Sequence, residues 1–504
     1  MIKFSFRCRL IAALLLTCTA LMAHADDNDA YFSLEELPNS LAYLPLPPDT
    51  TSAVFAGDYA QWMWGKSVRN TPRGEQASWE TRYGPERMCD VFGEAMGITL
   101  SEEETPAIYK LIVCAGATAS RGVIHMKTGY HRRRPFVVMN EKVWGQFDRD
   151  GELRPSSSYP SSHTALGWGV ALALAEMAPH LQDTILRRGY EYGQSRVITG
   201  AHWQSDVDAA RLCASAAISR AHDSEQYIAD LAAARAEYLN KTGLTSTEIS
   251  AGYPIMGRIL DAPFTNDDIQ FFGDVAQYWD AKGERDGERG EQAIADADLG
   301  DDQVISSFAS CVDIDFSPNE APAIIMLLKL TKLSLSLNAS GMKDTWFRDR
   351  PYVHFSEQTS IPGEEREYRK DSSYPSEHAM IGWGIALVLA EVMPDCQNAL
   401  LKRGYDIGWS RVITGYHYAS DVQAGRIMAS CALTKMHNDL SFKNLLAQAK
   451  LEYAQLKANQ GLEELIVLSQ ENPNVWYSIT GIIYNTKPEI PGIYIHNGNK
   501  VQVK

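Results

Sequence analysis

The chain is written twice, and that constrains its fold more than anything else in it. Ser195-Arg196-Val-Ile-Thr-Gly-Ala-His202-Trp-Gln-Ser-Asp206 returns as Ser410-Arg411-Val-Ile-Thr-Gly-Tyr-His417-Tyr-Ala-Ser-Asp421, a shift of 215 residues. Upstream, Gly57-Asp58 returns as Gly273-Asp274, Arg73-Gly-Glu-Gln-Ala77 as Arg289-Gly-Glu-Gln-Ala293, and Pro106-Ala-Ile108 as Pro322-Ala-Ile324, all shifted by 216. A nearly constant offset over some 150 residues means duplication of a whole domain, not a short solenoid repeat.

Most segments between the repeated motifs are helical by pattern. Thr164–Met177 and Ala379–Met393 are rich in Ala and Leu with few breakers, and Asp206–His222 and Asp421–His437 carry apolar residues at helical spacing. Asp223–Asn240 and Ser441–Asn459 read as amphipathic closing helices. The expected fold class is all-α: two tandem helical-bundle domains, 26–244 and 245–460, joined through a Gly/Thr/Ser-rich linker near Lys241–Tyr253. A β-rich tail, 461–504, follows, with Asn497-Gly498 as a hairpin turn signal.

Residues 1–25 read as a secretory signal peptide. Lys3, Arg7 and Arg9 precede a short apolar run from Leu10 to Met22, and Ala23-His24-Ala25 makes a small-x-small cleavage site. The expected location is periplasmic, cell-surface or secreted. The formal charge of −16 becomes still more negative once those three basic residues are lost, which argues against nucleic acid as a partner. No later apolar run reaches spanning length without a charge, so no stable membrane insertion is expected. Of eight cysteines, Cys8 and Cys18 lie in the leader. The other six fall three per half, with unreadable connectivity and no C-x-x-C pair, so no metal site is expected.

Three groups of polar residues recur in each half. The first half supplies Lys127 and Arg134-Pro135, then Pro160-Ser161-Ser162-His163, then Arg196, His202 and Asp206. The second supplies Lys343, Arg350-Pro351, Pro375-Ser376-Glu377-His378, Arg411, His417 and Asp421. Lysine and arginine suit a tetrahedral anion, and a Ser-x-His turn before a helix places free backbone N–H groups beside them. If His202 and Asp206 share a helical face, the carboxylate can fix the ring tautomer and leave the other nitrogen to attack. His163 can then protonate the leaving alkoxide. This chemistry needs no cofactor, because fixed cations neutralise the developing charge. Arg132 and Arg133, beside Arg134, read as a solvated face or substrate rim.

The order K-x6-R-P, P-S-G-H, S-R-x5-H-x3-D resembles the class A bacterial non-specific acid phosphatases, within the superfamily of type 2 phosphatidic acid phosphatases and vanadium haloperoxidases. The resemblance covers about residues 40–240 and 256–459 and includes the Ser-Tyr-Pro lead-in, Leu-Ala-Glu and Arg-Gly-Tyr. It implies His202 and His417 as nucleophiles and His163 and His378 as acids. It also implies phosphate binding by Lys127, Arg134, Ser161 and Arg196, and by Lys343, Arg350, Ser376 and Arg411. The departure is the motif glycine, which is Ser162 in the first copy and Glu377 in the second. A carboxylate there repels phosphate unless it points away. Small phosphorylated substrates are the expected partners, with vanadium-dependent haloperoxidase and soluble lipid-phosphate phosphatase as alternatives. The tandem further suggests an intramolecular pseudo-dimer. The tail resembles the C-terminal sorting signals of type IX secretion, the alternative being a β appendage on the second domain.

Overall fold

A computed structural model of the chain describes residues 29–146 and 150–504; the signal peptide reading falls outside them. The first half is built from α1 (Phe55–Ser67), α2 (Pro106–Arg121), α3 (Ser162–Met177), α4 (Gln182–Ile198), α5 (Gln204–Ala221) and α6 (Glu225–Thr242). The second repeats them as α7 (Phe271–Lys282), α8 (Pro322–Lys343), α9 (Glu377–Val392), α10 (Gln397–Ile413), α11 (Ala419–Met436) and α12 (Leu440–Glu471). Shorter helices fill the loops between them.

In each half one helix is the hub. From His163 to Met177 every residue of α3 is buried, and its sequence, Thr-Ala-Leu-Gly-Trp-Gly-Val-Ala-Leu-Ala-Leu-Ala, is apolar all round, as a fully enclosed helix requires. Helices α2, α4, α5 and their neighbours surround it, and α8, α10 and α11 surround α9 in the same way. Trp168 and Trp383, nearly two turns into each hub, are fully buried. The stretch Pro106–Gly129, α2 with the short helix after it, and α8 are apolar enough to cross a bilayer by length and composition, yet α2 and α8 each pack along their own hub.

The halves are not beads on a string, because their buried apolar residues form one continuous cluster. The short segments preceding α1 and α7 cross over reciprocally. Asn39 N–H donates to Asn398 Oδ1 (2.8 Å) and Gln397 Nε2 to the Glu36 carbonyl (3.2 Å). At the equivalent positions, Ile255 N–H donates to Asp183 Oδ1 (2.9 Å) and Gln182 Nε2 to the Gly252 carbonyl (2.9 Å). Helices α1 and α7 also cross each other at their equivalent glycines. A Cβ on Gly273 would stand 2.6 Å from the Gly57 Cα, and one on Gly57 would stand 3.1 Å from the Gly273 Cα. Only glycine lets the backbones come this close.

Helix α12 runs to Glu471, past the expected domain end at 460. The tail then forms an antiparallel sheet from β1 (Trp476–Ser478), β2 (Ile483–Tyr484), β3 (Gly492–His496) and β4 (Asn499–Val503), in the order β2-β1-β3-β4. Asn497 and Gly498 both have positive φ, 49° and 73°, as the tight hairpin turn between β3 and β4 demands. The sheet rests on α12, where Gly498 N–H donates to the buried Ser469 Oγ (2.7 Å). The six cysteines from Cys89 to Cys431 are free thiols.

The α1–α7 crossing makes a testable prediction. Gly273→Val should destabilise the chain by about 1–3 kcal/mol, the usual cost of overpacking, as read from the denaturant midpoint. Gly341, near the end of α8, has open space around it. Gly341→Ala should leave the midpoint unchanged or slightly raised.

Candidate active site

The three motif groups converge beside the N-terminus of each hub helix. In the first half Lys127 lies on the short helix Ile124–Gly129 and Arg134 caps the turn Pro135–Val138. Ser161 is the N-cap of α3, and Arg196 lies in the last turn of α4. Lys127, Arg134, Ser161, His163, Arg196, His202 and Asp206 are all buried, and Ser162 nearly so. The second copy buries Arg350, Ser376, Arg411, His417 and Asp421 alike, with Lys343, Glu377 and His378 partly covered.

The nucleophile candidate sits in a cage of cations. Arg134 Nη1 lies 2.8 Å from His202 Nε2 and donates to the Ala201 carbonyl at 3.0 Å. A guanidinium can only donate, so Nε2 must be the acceptor and the ring proton must sit on Nδ1. Burial, followed by the charges of Arg134, Lys127 and Arg196, pulls the His202 pKa well below its ordinary value. The ring is therefore neutral at pH values where an exposed histidine is charged, with its Nε2 lone pair facing Arg134. His417 has the same environment: Arg350 Nη1 lies 3.1 Å from Nε2, and burial, Arg350, Arg411 and Lys343 depress its pKa.

The cations are themselves strained by desolvation. Lys127 donates to the Ser157 carbonyl (2.9 Å), and burial with the neighbouring Arg134 lowers its pKa to about 7. Arg411 is fully enclosed, and burial with Arg350 brings it down to about 10. Its Nε and Nη1 are buried without a protein acceptor. Buried donors of this kind suit an incoming oxyanion, since leaving them unpaired costs about 1–3 kcal/mol or more each.

The structure keeps His202 and Asp206 close, but not on one helical face. His202 lies in the turn before α5, not on it, and Asp206 is the third residue of that helix. There Asp206 Oδ2 accepts from the Trp203 N–H (2.8 Å), in a capping box, and stands 3.4 Å from His202 Nδ1. In the second copy the ring is oriented by the backbone: His417 Nδ1 donates to the Ser373 carbonyl at 2.7 Å, while Asp421 is 3.7 Å away. The matching Ser158 backbone acts on His202.

Arg132, expected at a solvated rim, is instead a buried clamp. It donates to Asp206 Oδ1 and to Asp58 Oδ2, both at 2.6 Å. Arg348 joins Asp421 and Asp274 at the same two distances. Burial works against these guanidinium charges, but the paired carboxylates outweigh it and push their pKa values up. The signal was present in the sequence, because Asp58, Asp274, Arg132 and Arg348 are all kept at the repeat offset. The Ser of each Ser-Arg pair is likewise structural. Ser195 Oγ accepts from Arg73 Nη1 (3.0 Å) and donates to Glu80. Ser410 does the same with Arg289 (3.0 Å) and Asp296 (2.6 Å).

Ser161 and Ser376, expected on phosphate, use their hydroxyls as N-caps, accepting from Thr164 N–H (3.2 Å) and Ala379 N–H (3.3 Å). The following amides open the helix, where N–H groups lack intrahelical acceptors. The acid candidates differ between copies. His163 stacks on Tyr192, with ring centroids 4.4 Å apart, and lies near Tyr83. In the second copy Ile407 and Leu299 occupy those positions, and His378 Nε2 bonds the Ala297 carbonyl at 2.9 Å. Burial, together with Arg411, holds His378 well below its usual pKa. Glu377 accepts from the Ser336 hydroxyl on α8, and its charge supports that of Lys343.

A neutral imidazole lone pair inside a buried ring of Lys and Arg, beside a helix N-terminus, defines an oxyanion-handling histidine site. Residues 108–226 and 323–444 match the PAP2 superfamily. The chain is 42% identical over 212 residues to the non-specific acid phosphatase of Providencia stuartii, covering 41% of this chain and 84% of that protein. It is 36% identical over 230 residues to the non-specific acid phosphatase of Salmonella typhimurium, covering 44% of this chain and 90% of the relative. An acid phosphatase of Zymomonas mobilis is 32% identical over 215 residues, covering 43% of this chain and 81% of that relative. The chain belongs to the PAP2 superfamily, in the family of the non-specific acid phosphatases.

The buried clamp gives a direct prediction. Arg132→Ala would leave Asp58 and Asp206 enclosed without their counter-charge, at a cost of about 3–5 kcal/mol, measurable by chemical denaturation. Arg133→Ala, one residue away, should cost far less.

Proposed function

We propose that the chain is an exported acid phosphatase that hydrolyses phosphate monoesters of broad variety through a phosphohistidine, without a catalytic metal. The observation that carries this reading is the geometry at His202: a neutral ring whose Nε2 lone pair faces Arg134, in the field of Lys127 and Arg196. A substrate phosphate held by those cations and by the first amides of α3 lies within reach of Nε2. Attack forms the N–P bond as the P–O bond to the leaving group breaks, and His163 gives its proton to the departing alkoxide. Water then attacks the phosphohistidine with His163 as base, releasing phosphate and restoring the ring. The cations stabilise the charge that grows on the phosphoryl oxygens.

The two sites should differ. In the second, His378 Nε2 is tied to a backbone carbonyl and the ring is held neutral, a poor starting state for a general acid. The first site therefore carries most of the turnover. The reciprocal crossings support the reading that the halves act as an intramolecular pseudo-dimer. Export rests on the leader pattern of residues 1–25, and the tail's resemblance to sorting signals is a second export signal.

The expected result with a chromogenic phosphomonoester and chelator present is a large loss in His202→Ala, a smaller one in His417→Ala, and loss of at least about 10³-fold in the double variant. Activity surviving in the double variant would refute the assignment. The pH profile is a separate check. His202 stays unprotonated well below pH 6.5, whereas Lys127 loses its charge as the pH rises through about 7. Hence kcat/KM, which reports the free enzyme, should be highest on the acidic side and fall through about pH 7. Lys127→Arg should move that fall to higher pH, and an unmoved limb would exclude Lys127 as its source.

A further inference from the structure

Away from both phosphate sites, the halves meet on a buried polar cluster that the hydrolytic chemistry does not use. Its members are Glu176 and His222 from the first half and Glu391 and His437 from the second, equivalent pairs under the 215-residue shift. The two imidazoles stack across the junction, with centroids 3.7 Å apart and planes at 14°. Each Nδ1 is spent on the carbonyl four residues back, His222 on Ile218 (2.9 Å) and His437 on Leu433 (3.0 Å). Both Nε2 atoms therefore face inward, 2.8 Å from Glu176 and 3.0 Å from Glu391. The Glu176 carboxylate and both Nε2 atoms lie within 4.8 Å of one another. A cavity of about 20 Å³ adjoins them, lined in part by Ser215, Ser219, Ser430 and Thr434, with room for one ion or water.

Three physical points converge here. A histidine whose Nδ1–H is anchored to a backbone carbonyl presents Nε2 with its direction fixed, as metal-ligating histidines do. Two imidazoles with a carboxylate make an N/O donor set of the kind Zn²⁺ and its first-row neighbours take. A cation also compensates the buried Glu176 carboxylate, which in an enclosed site must be balanced. Lys450 supplies a counter-charge to Glu391, reaching Oε1 at 3.0 Å and Asp223 at 3.4 Å, and Arg235 donates to the Glu176 backbone carbonyl.

We propose that this cluster is a structural site for a divalent transition metal such as Zn²⁺, with Glu176, His222 and His437 as ligands, joining the two halves. No sequence spacing announces it, because the two histidines are 215 residues apart and meet only when the halves fold together. It is independent of the phosphate sites, whose chemistry needs no metal.

The test uses the full chain, stripped with chelator and titrated calorimetrically with Zn²⁺ alone, with Co²⁺ as a spectroscopic probe. The proposal expects one ion per chain and a Co²⁺ absorption band of four-coordinate intensity. His222→Gln and Glu176→Gln should each weaken binding by more than about tenfold while phosphomonoesterase activity, and hence the fold, is retained. The proposal is overturned if the unsubstituted chain shows no one-to-one binding at micromolar Zn²⁺, or if both variants bind as it does.

Discussion

The structure depends on a buried guanidinium held between two carboxylates. Arg132 ties Asp58 on α1 to Asp206 at the start of α5, and Arg348 repeats the tie between Asp274 and Asp421. Each clamp fixes three remote pieces of chain at once: the first helix of the repeat, the basic loop, and the turn that carries the nucleophile. Ser205 joins the same knot through its N–H and hydroxyl to Asp58 (2.8 and 2.6 Å). Remove the arginine and two enclosed carboxylates repel each other beside the site. Arg134, two residues along the same loop, is thereby delivered to His202.

The consequence is electrostatic. Burial and three cations keep a histidine unprotonated at pH values where an exposed one would be charged. The same burial brings a lysine near neutrality at the upper end. On the proposed mechanism this favours acidic pH, where His202 stays neutral and Lys127 stays charged. The two copies share the arginine contact to His202 and His417 and the aspartate clamp, and they diverge around His163 and His378. Tyr192 and Tyr83 flank His163, whereas Ile407 and Leu299 leave His378 to the Ala297 carbonyl. Glu377, the residue that looked most damaging, accepts from the Ser336 hydroxyl.

The legible part of this was the part carried by spacing. The duplication, the helical class, the hub helices, the Asn497-Gly498 turn and the members of the cage all follow from repeats and periodicity. What stayed hidden was what depends on partners far away in sequence. Arg132 looked like one of a run of surface arginines because its carboxylates lie 74 residues off in each direction. The His202–Asp206 spacing of four suggested a shared helical face, yet the helix begins between them, so the aspartate is a cap that stands 3.4 Å from the ring. The reciprocal crossing of the segments before α1 and α7 left no local mark at all, since each makes sense only against the other half.

The central claim is that a neutral His202 Nε2 attacks phosphorus and is transiently phosphorylated. The most direct measurement is a rapid alkaline quench of the chain during turnover of a fast phosphomonoester, followed by peptide mapping by mass spectrometry. The account predicts phosphate on the His202 peptide, with a weaker signal on His417 and none on either in the double His→Ala variant. Phosphate found on any other residue, or rapid turnover with no labelled histidine at the earliest times, would contradict it.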